Sequence, residues 1–154
     1  MDTTNYSFYA VPAMWTVGIV THFYAIGLTK VSNDLPDFDV VSPREFINRV
    51  RTQEKQSPVV GKYLRAESAQ MNTFENLGWF SAAVVAGNLA RLPTRYLNLF
   101  AGGYVASRLL YTLLYVNTTS AAWANLRTVT WLGGVFSIMA TFVKAGNVFN
   151  KLVL

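Results

Sequence analysis

Two stretches of this chain carry polar side chains at helical spacing inside otherwise apolar sequence. In the first stretch, steps of three and four residues place one set on a single helical face: Arg65, Ser68, Asn72, Glu75 and Trp79. The second stretch does the same with another set: Tyr104, Arg108, Tyr111 and Tyr115. Carboxylates can hold amines, amides can bond a peptide backbone, and arginines can bind carboxylates or lower the pKa of a thiol or enol. The two faces therefore predict a pocket for a small polar molecule.

A third polar position lies near the start of the last apolar stretch, where Arg127 and Thr128 are adjacent. Insertion of a carboxylate at the centre of a bilayer costs at least ~2.5 kcal/mol, so an acid such as Glu75 needs a basic partner there. A buried Glu75–Arg108 ion pair that only fixes helix register explains the pattern as well as a ligand pocket does. The residues alone leave both interpretations open.

Other site chemistries are restricted by composition. The chain has no cysteine and a single histidine, His22, which excludes disulfides, thiolate metal sites and a cysteine nucleophile and leaves no histidine cluster for a metal. We expect no metal site. We expect His22 to be neutral and bonded within a helical bundle, with a catalytic role as the alternative.

The elements that must position these residues are long apolar helices. The chain is 52% hydrophobic and only 14% charged, whereas an average soluble domain has roughly 25% charged residues. About 20 apolar residues span a bilayer, and four runs reach that length: 8–29, 64–90, 97–116 and 122–143. We therefore predict an all-α membrane protein, a single four-helix domain over residues 1–154.

Residues 30–63 form a polar connection between the first two predicted spans. Within it, Pro43 and the residues after it predict a short helix, with Ser42 as its N-cap and Glu45 completing a capping box. Phe46 and Val50 are expected to rest on the bundle or the membrane surface, and the basic residues of this helix to form a solvated face, with ligand binding as the alternative.

The distribution of basic residues predicts the topology. The segment from Lys30 to Arg65 carries seven basic residues, and the opposite side carries four. By the positive-inside rule the 30–63 connection is cytosolic and both termini lie across the membrane. The net charge of +5 is explained by this topology, and we expect no nucleic-acid partner.

Three motifs carry a resemblance to a known family. The pattern RAxxAxxNxxEN, from Arg65 to Asn76, resembles the second-helix signature of the MAPEG family, the membrane-associated proteins in eicosanoid and glutathione metabolism. ASRLLYTLLY, which contains Arg108 and Tyr115, is similar to its third-helix motif. NLRTVTW, around Arg127, is similar to the start of its fourth helix.

The resemblance implies a homotrimer in the endoplasmic reticulum membrane, with its site toward the cytosol. It implies glutathione at each subunit interface and a lipophilic substrate that arrives from the lipid. It assigns the thiolate-stabilising role to Arg127, with Thr128 as a neighbouring hydroxyl. The glutathione-binding positions that it implies are Lys30, Arg65, Asn72, Glu75, Arg108, Tyr111 and Tyr115.

Three functions are carried forward from these observations. The first is a glutathione-dependent transferase, isomerase or peroxidase. Ser68 and Met71 stand where some members of that family have arginines, which keeps open a second function, a glutathione-independent isomerase or cyclase on the same scaffold. The third is a non-catalytic membrane scaffold or regulator.

Overall fold

The computed structural model describes residues 4–153, apart from the side chains of Ala122, Leu152 and Val153, and its elements are all helical. Residues 1–3 and 154 of the predicted domain lie outside the described residues. A short 3-10 turn, Ser7–Tyr9, precedes five α-helices over the described range. They are α1 (Ala10–Val31), α2 (Pro43–Thr52), α3 (Pro58–Leu89), α4 (Thr94–Asn117) and α5 (Ala121–Val153). The four predicted runs lie in α1, α3, α4 and α5, of which α3, α4 and α5 are longer than the predicted runs.

Within residues 4–153, three stretches are long and apolar enough to cross a membrane: Ser7–Val31, Thr94–Asn117 and Trp123–Lys151. The chain is accordingly an integral membrane protein. The 32 residues of α3 fall outside this set, since formal charges such as Arg65, Glu67 and Glu75 interrupt their apolar sequence. Helix α3 instead occupies the middle of the bundle, where it packs against α1, α4 and α5.

Close approach between α3, α4 and α5 depends on small residues. A Cβ atom built on Gly87 would lie 2.8 Å from Leu97 Cδ2 and 3.3 Å from Thr141 Cγ2. A larger side chain there would force the three helices apart, and small residues permit this kind of packing inside membranes. The contact allows close packing of the three helices at the C-terminal end of α3.

Helix α2 rests on the bundle as predicted, through Phe46 and Val50, which are both buried. Phe46 packs edge-to-face on Tyr63 of α3 at a ring-centroid distance of 5.8 Å. The predicted capping box was wrong, because the Ser42 side chain makes no capping hydrogen bond and the Ser42 backbone N–H donates to Asp39 and not to Glu45. Asp39 orders this turn instead: its carboxylate accepts from the backbone N–H groups of Ser42 and Val41, which lower its pKa, and it pairs with Arg49.

Candidate functional site

The candidate site begins where α3 meets α4. Arg108 is 1% exposed, and its Nη2 donates to Asn72 Oδ1 at 2.6 Å. Its Nε has no hydrogen-bond partner, and no carboxylate lies within ion-pair distance of it in the described part of the chain. Burial of a cation is costly unless it is paired. Arg108 is thus a buried positive charge whose partners within this chain are neutral.

From Arg108 the polar side chains continue along α4 to α5. The Arg108 guanidinium carbon lies 4.2 Å from the ring centroid of Tyr111. The Tyr111 and Tyr115 rings meet at 5.5 Å and an interplanar angle of 62°, and the Arg127 guanidinium carbon lies 3.9 Å from the centroid of Tyr115. We call these five residues, with Asn72 at one end and Arg127 at the other, the arginine–tyrosine row.

The order of the row follows from helix geometry. Arg108, Tyr111 and Tyr115 recur at steps of three and four, so they share one face of α4. Helix α5 starts four residues after the end of α4, which brings Arg127 of α5 beside Tyr115 near the end of α4. The sequence thus predicted the α4 face, and the short turn places Arg127 against it.

The row is suited to binding an anion. A guanidinium above a phenol ring is held by cation–π attraction, and its N–H groups remain available for carboxylate or thiolate groups. Two such groups, Arg108 and Arg127, lie at the two ends of the tyrosine pair, and neither forms an ion pair with any described residue. The positive charge of the row is therefore not neutralised within the chain.

Glu75 does not join the row as one interpretation of the sequence required. Its side chain is exposed, it lines a separate cavity beside α1 and α2, and within residues 4–153 it makes no ion pair. The predicted Glu75–Arg108 pair is wrong within one chain, because Asn72, three residues earlier, takes the position facing Arg108.

The remaining predicted residues lie around the row. Arg65 donates from Nε to the carbonyl of Val116, next to Tyr115, at 3.1 Å. The Thr128 hydroxyl donates to the Ala124 carbonyl of its own helix at 3.1 Å. Lys30 is exposed in the last turn of α1, with no side-chain bond to a residue that the structure describes. The structure therefore brings five of the nine predicted positions together as the arginine–tyrosine row: Asn72, Arg108, Tyr111, Tyr115 and Arg127.

One polar pair was not predicted. His22 Nδ1 of α1 lies 2.9 Å from Glu67 Oε1 of α3, and Glu67 is only 2% exposed. The prediction that His22 is bonded within the bundle is confirmed. The available signal was that a buried acid in an apolar helix needs a base, but spacing within one helix cannot identify that base on another.

Two cavities flank α1. The first, of about 500 Å³, is almost wholly apolar and lies between α1 and α4. The second, of about 610 Å³, lies between α1, α2 and α3 and contains the His22–Glu67 pair in its wall. Among the described residues, no group of three His, Cys, Asp or Glu side chains is arranged to hold a metal ion.

Comparison with known proteins agrees with the motifs in α3, α4 and α5. A family model described as the MAPEG family matches residues 8–147, which is nearly the whole chain. No significant match was found among curated proteins or among solved structures. The matched region contains every residue of the arginine–tyrosine row, all of α1, α3 and α4, and α5 up to residue 147. On this match the chain belongs to the MAPEG family.

Proposed function

We propose that this protein is an integral membrane enzyme that uses glutathione to transform a lipophilic substrate by conjugation, isomerisation or peroxide reduction. The observation that carries the proposal is Arg108, a buried guanidinium with no acidic partner among the described residues and with Nε unpaired. Such a buried cation is expected to bind an anion from outside the chain, because an unpaired buried charge is costly. Glutathione supplies two carboxylates and a thiol, and MAPEG membership favours it.

In this proposal some residues of the row bind glutathione and another activates its thiol. Asn72, Arg108 and Tyr111 hold the peptide and carboxylate groups of glutathione. Arg127, half-buried above Tyr115, lies beside the sulfur and stabilises the thiolate, which raises the thiolate population at neutral pH. The other proposed contacts come from positions around the row: Lys30, Arg65, Glu75, Tyr115 and Thr128.

We further propose that the functional unit is a homotrimer of four-span subunits, with α3 as the fourth span. Glu75 is exposed on α3 and has no basic partner within the described residues of its own chain. The α4 glycines Gly102 and Gly103 face open space, since a Cβ atom on either would meet nothing within 4 Å. Both features suit contact with a second copy. The proposal also includes location in the endoplasmic reticulum and a site toward the cytosol, which family membership and the basic 30–63 connection support.

The direct test is titration of the purified protein with glutathione while the ultraviolet absorbance of the thiolate is followed. A saturable thiolate signal at neutral pH is expected, and a mass measurement in mild detergent is expected to give three subunits. Arg127→Ala should remove most of the thiolate signal. The absence of any thiolate signal with folded parent protein would refute glutathione activation.

A second candidate function is a glutathione-independent isomerase or cyclase. Ser68 favours it, because this position on α3 offers no cation, and its hydroxyl donates to the Leu64 carbonyl of its own helix at 2.8 Å. Turnover of a lipophilic substrate in thiol-free buffer, by protein shown to carry no glutathione, would select this function over the first.

A further inference from the structure

The cavity between α1, α2 and α3 has a buried polar floor. His22 is hydrogen-bonded through Nδ1 to Glu67, and the structure shows no partner for Nε2 among the described residues. Tyr63 also lines the cavity, is fully buried, and has a hydroxyl without a hydrogen-bond partner. Buried polar groups are almost always hydrogen-bonded. Of these two groups, His22 has a side chain that is 27% exposed, so His22 Nε2 is the atom that a molecule inside the cavity can reach.

The exposed rim of the same cavity carries two arginines and one carboxylate, that of Glu75. Arg44, Asn48 and Arg51 line it from α2, at steps of four and three that place them on one helical face. Neither Arg44 nor Arg51 makes an ion pair within the described part of the chain, whereas Arg49, on another face of α2, is paired with Asp39. The rim offers two guanidinium groups to an anion.

Between rim and floor the cavity wall is largely apolar, formed by Phe38, Pro43, Ile47, Met71 and Phe74. The volume of about 610 Å³ falls within the range of roughly 300–1,000 Å³ that is typical of small-molecule sites. The Phe38 ring is also in edge contact with His22, at 6.1 Å between centroids. An occupant thus meets cations first, then apolar surface, then hydrogen-bonding groups.

We propose that this cavity is a second ligand site, which binds an organic anion with an apolar body and a hydroxyl or carbonyl at its far end. Arg44 and Arg51 hold the carboxylate or phosphate. The apolar body lies against Phe38, Ile47 and Phe74. The distal polar group bonds His22 Nε2, and Glu67 fixes the orientation of the imidazole through Nδ1.

The proposal separates this site from the arginine–tyrosine row. The row lies on α3, α4 and α5, while this cavity is formed by α1, α2 and α3. Glu75 is a proposed glutathione contact that also borders the cavity. Because His22, Arg44 and Arg51 are not proposed glutathione contacts, the two ligands are expected to bind together, with glutathione changing the affinity of the organic anion by no more than about threefold.

A matched pair of probes tests the distal contact. Calorimetric titration of the full-length protein in detergent should show ω-hydroxyoctanoate binding about fivefold more tightly than octanoate, since one neutral hydrogen bond contributes about 1 kcal/mol. Acetate should bind at least tenfold more weakly than octanoate, because it lacks the apolar body. Equal affinity for octanoate and its hydroxy form, or no binding of either, overturns the proposal.

Variants of α2 test the rim. The double variant Arg44→Gln, Arg51→Gln should weaken both acids at least tenfold, whereas Arg49→Gln, on the same helix but outside the cavity, should change neither by more than twofold. His22→Gln should abolish the preference for the hydroxy acid while octanoate still binds, and this distinguishes a ligand contact from loss of fold. Unchanged binding in the double variant, or displacement of the acids by glutathione, contradicts a separate site at this cavity.

Discussion

The two polar faces of α3 handle buried charge in opposite ways. Toward α1, the carboxylate of Glu67 meets His22 at 2.9 Å, so acid and base are matched within the chain. Toward α4, Arg108 is equally buried but has an amide and a phenol ring as its partners. A matched pair links two helices, while a cation with only neutral neighbours retains binding capacity for an anion. The comparison indicates that the Glu67–His22 contact stabilises the fold and that a ligand is expected to bind near Arg108.

The largest expected effect comes from breaking the matched pair. His22→Leu leaves the Glu67 carboxylate buried without a base, and loss of one partner of a buried pair typically costs about 3–5 kcal/mol. Chemical unfolding in detergent measures this loss. The double variant His22→Leu, Glu67→Met is the control: it removes both hydrogen-bonding partners and should recover most of the stability. A single variant as stable as the parent would show that this pair does not hold α1 to α3.

The next effect concerns chemistry at the far end of the row. Arg127→Ala should reduce glutathione-dependent turnover by about 10²-fold, as removal of one preorganised stabilising group does in other enzymes, while glutathione binding falls much less. A thiol with an unperturbed pKa near ~8.5 ionises unaided at higher pH, so raising the pH should restore part of the lost rate.

A cation on the same helix provides the control for that experiment. Lys144 of α5 lies over Tyr96, with Nζ 4.8 Å from the ring centroid, and is remote in sequence from the row. Lys144→Ala should leave turnover and its pH profile unchanged. Equal loss of turnover in both variants would assign the Arg127 effect to general disturbance of α5.

A smaller effect on stability is expected at the unmatched cation. Arg108→Met removes the donor to Asn72 Oδ1, and an unsatisfied buried acceptor costs about 1–3 kcal/mol. The loss should be smaller than for His22→Leu, because no opposite charge is left behind. Glutathione affinity, measured by calorimetry, should fall at least tenfold. If stability fell severely and affinity did not change, Arg108 would be a structural cation and not a binding group.

The smallest effect on stability is expected at Glu75. The exposed side chain has no ion-pair partner within residues 4–153, so Glu75→Gln should change the unfolding free energy of dissociated subunits by no more than about 0.5 kcal/mol. Thermal unfolding in a detergent that separates subunits measures this quantity. A loss of several kcal/mol in separated subunits would mean that Glu75 has a partner within its own chain.

The α4 face and the polar positions of α3 could be predicted because they depend on periodicity alone. Steps of three and four fix angular position on a helix whatever surrounds it. Arg108, Tyr111 and Tyr115 were therefore expected together, and they are in contact. The same argument failed for Glu75, since angular position does not determine which of two residues three apart, Asn72 or Glu75, turns toward the neighbouring helix.

Sequence by itself determined the long apolar helices, the basic connection between the first two, and the motifs that mark the MAPEG family. These depend on composition and local spacing, which are properties of the chain taken segment by segment. Tertiary structure decided that Glu67 meets His22, that Arg108 faces Asn72, and that Asp39 replaces Ser42 in ordering the turn before α2. The first two are contacts between different helices, and each partner is fixed only when the helices pack at a particular rotation and distance. The third is a local contact, three residues apart, in which the conformation of the turn selects Asp39 over Ser42.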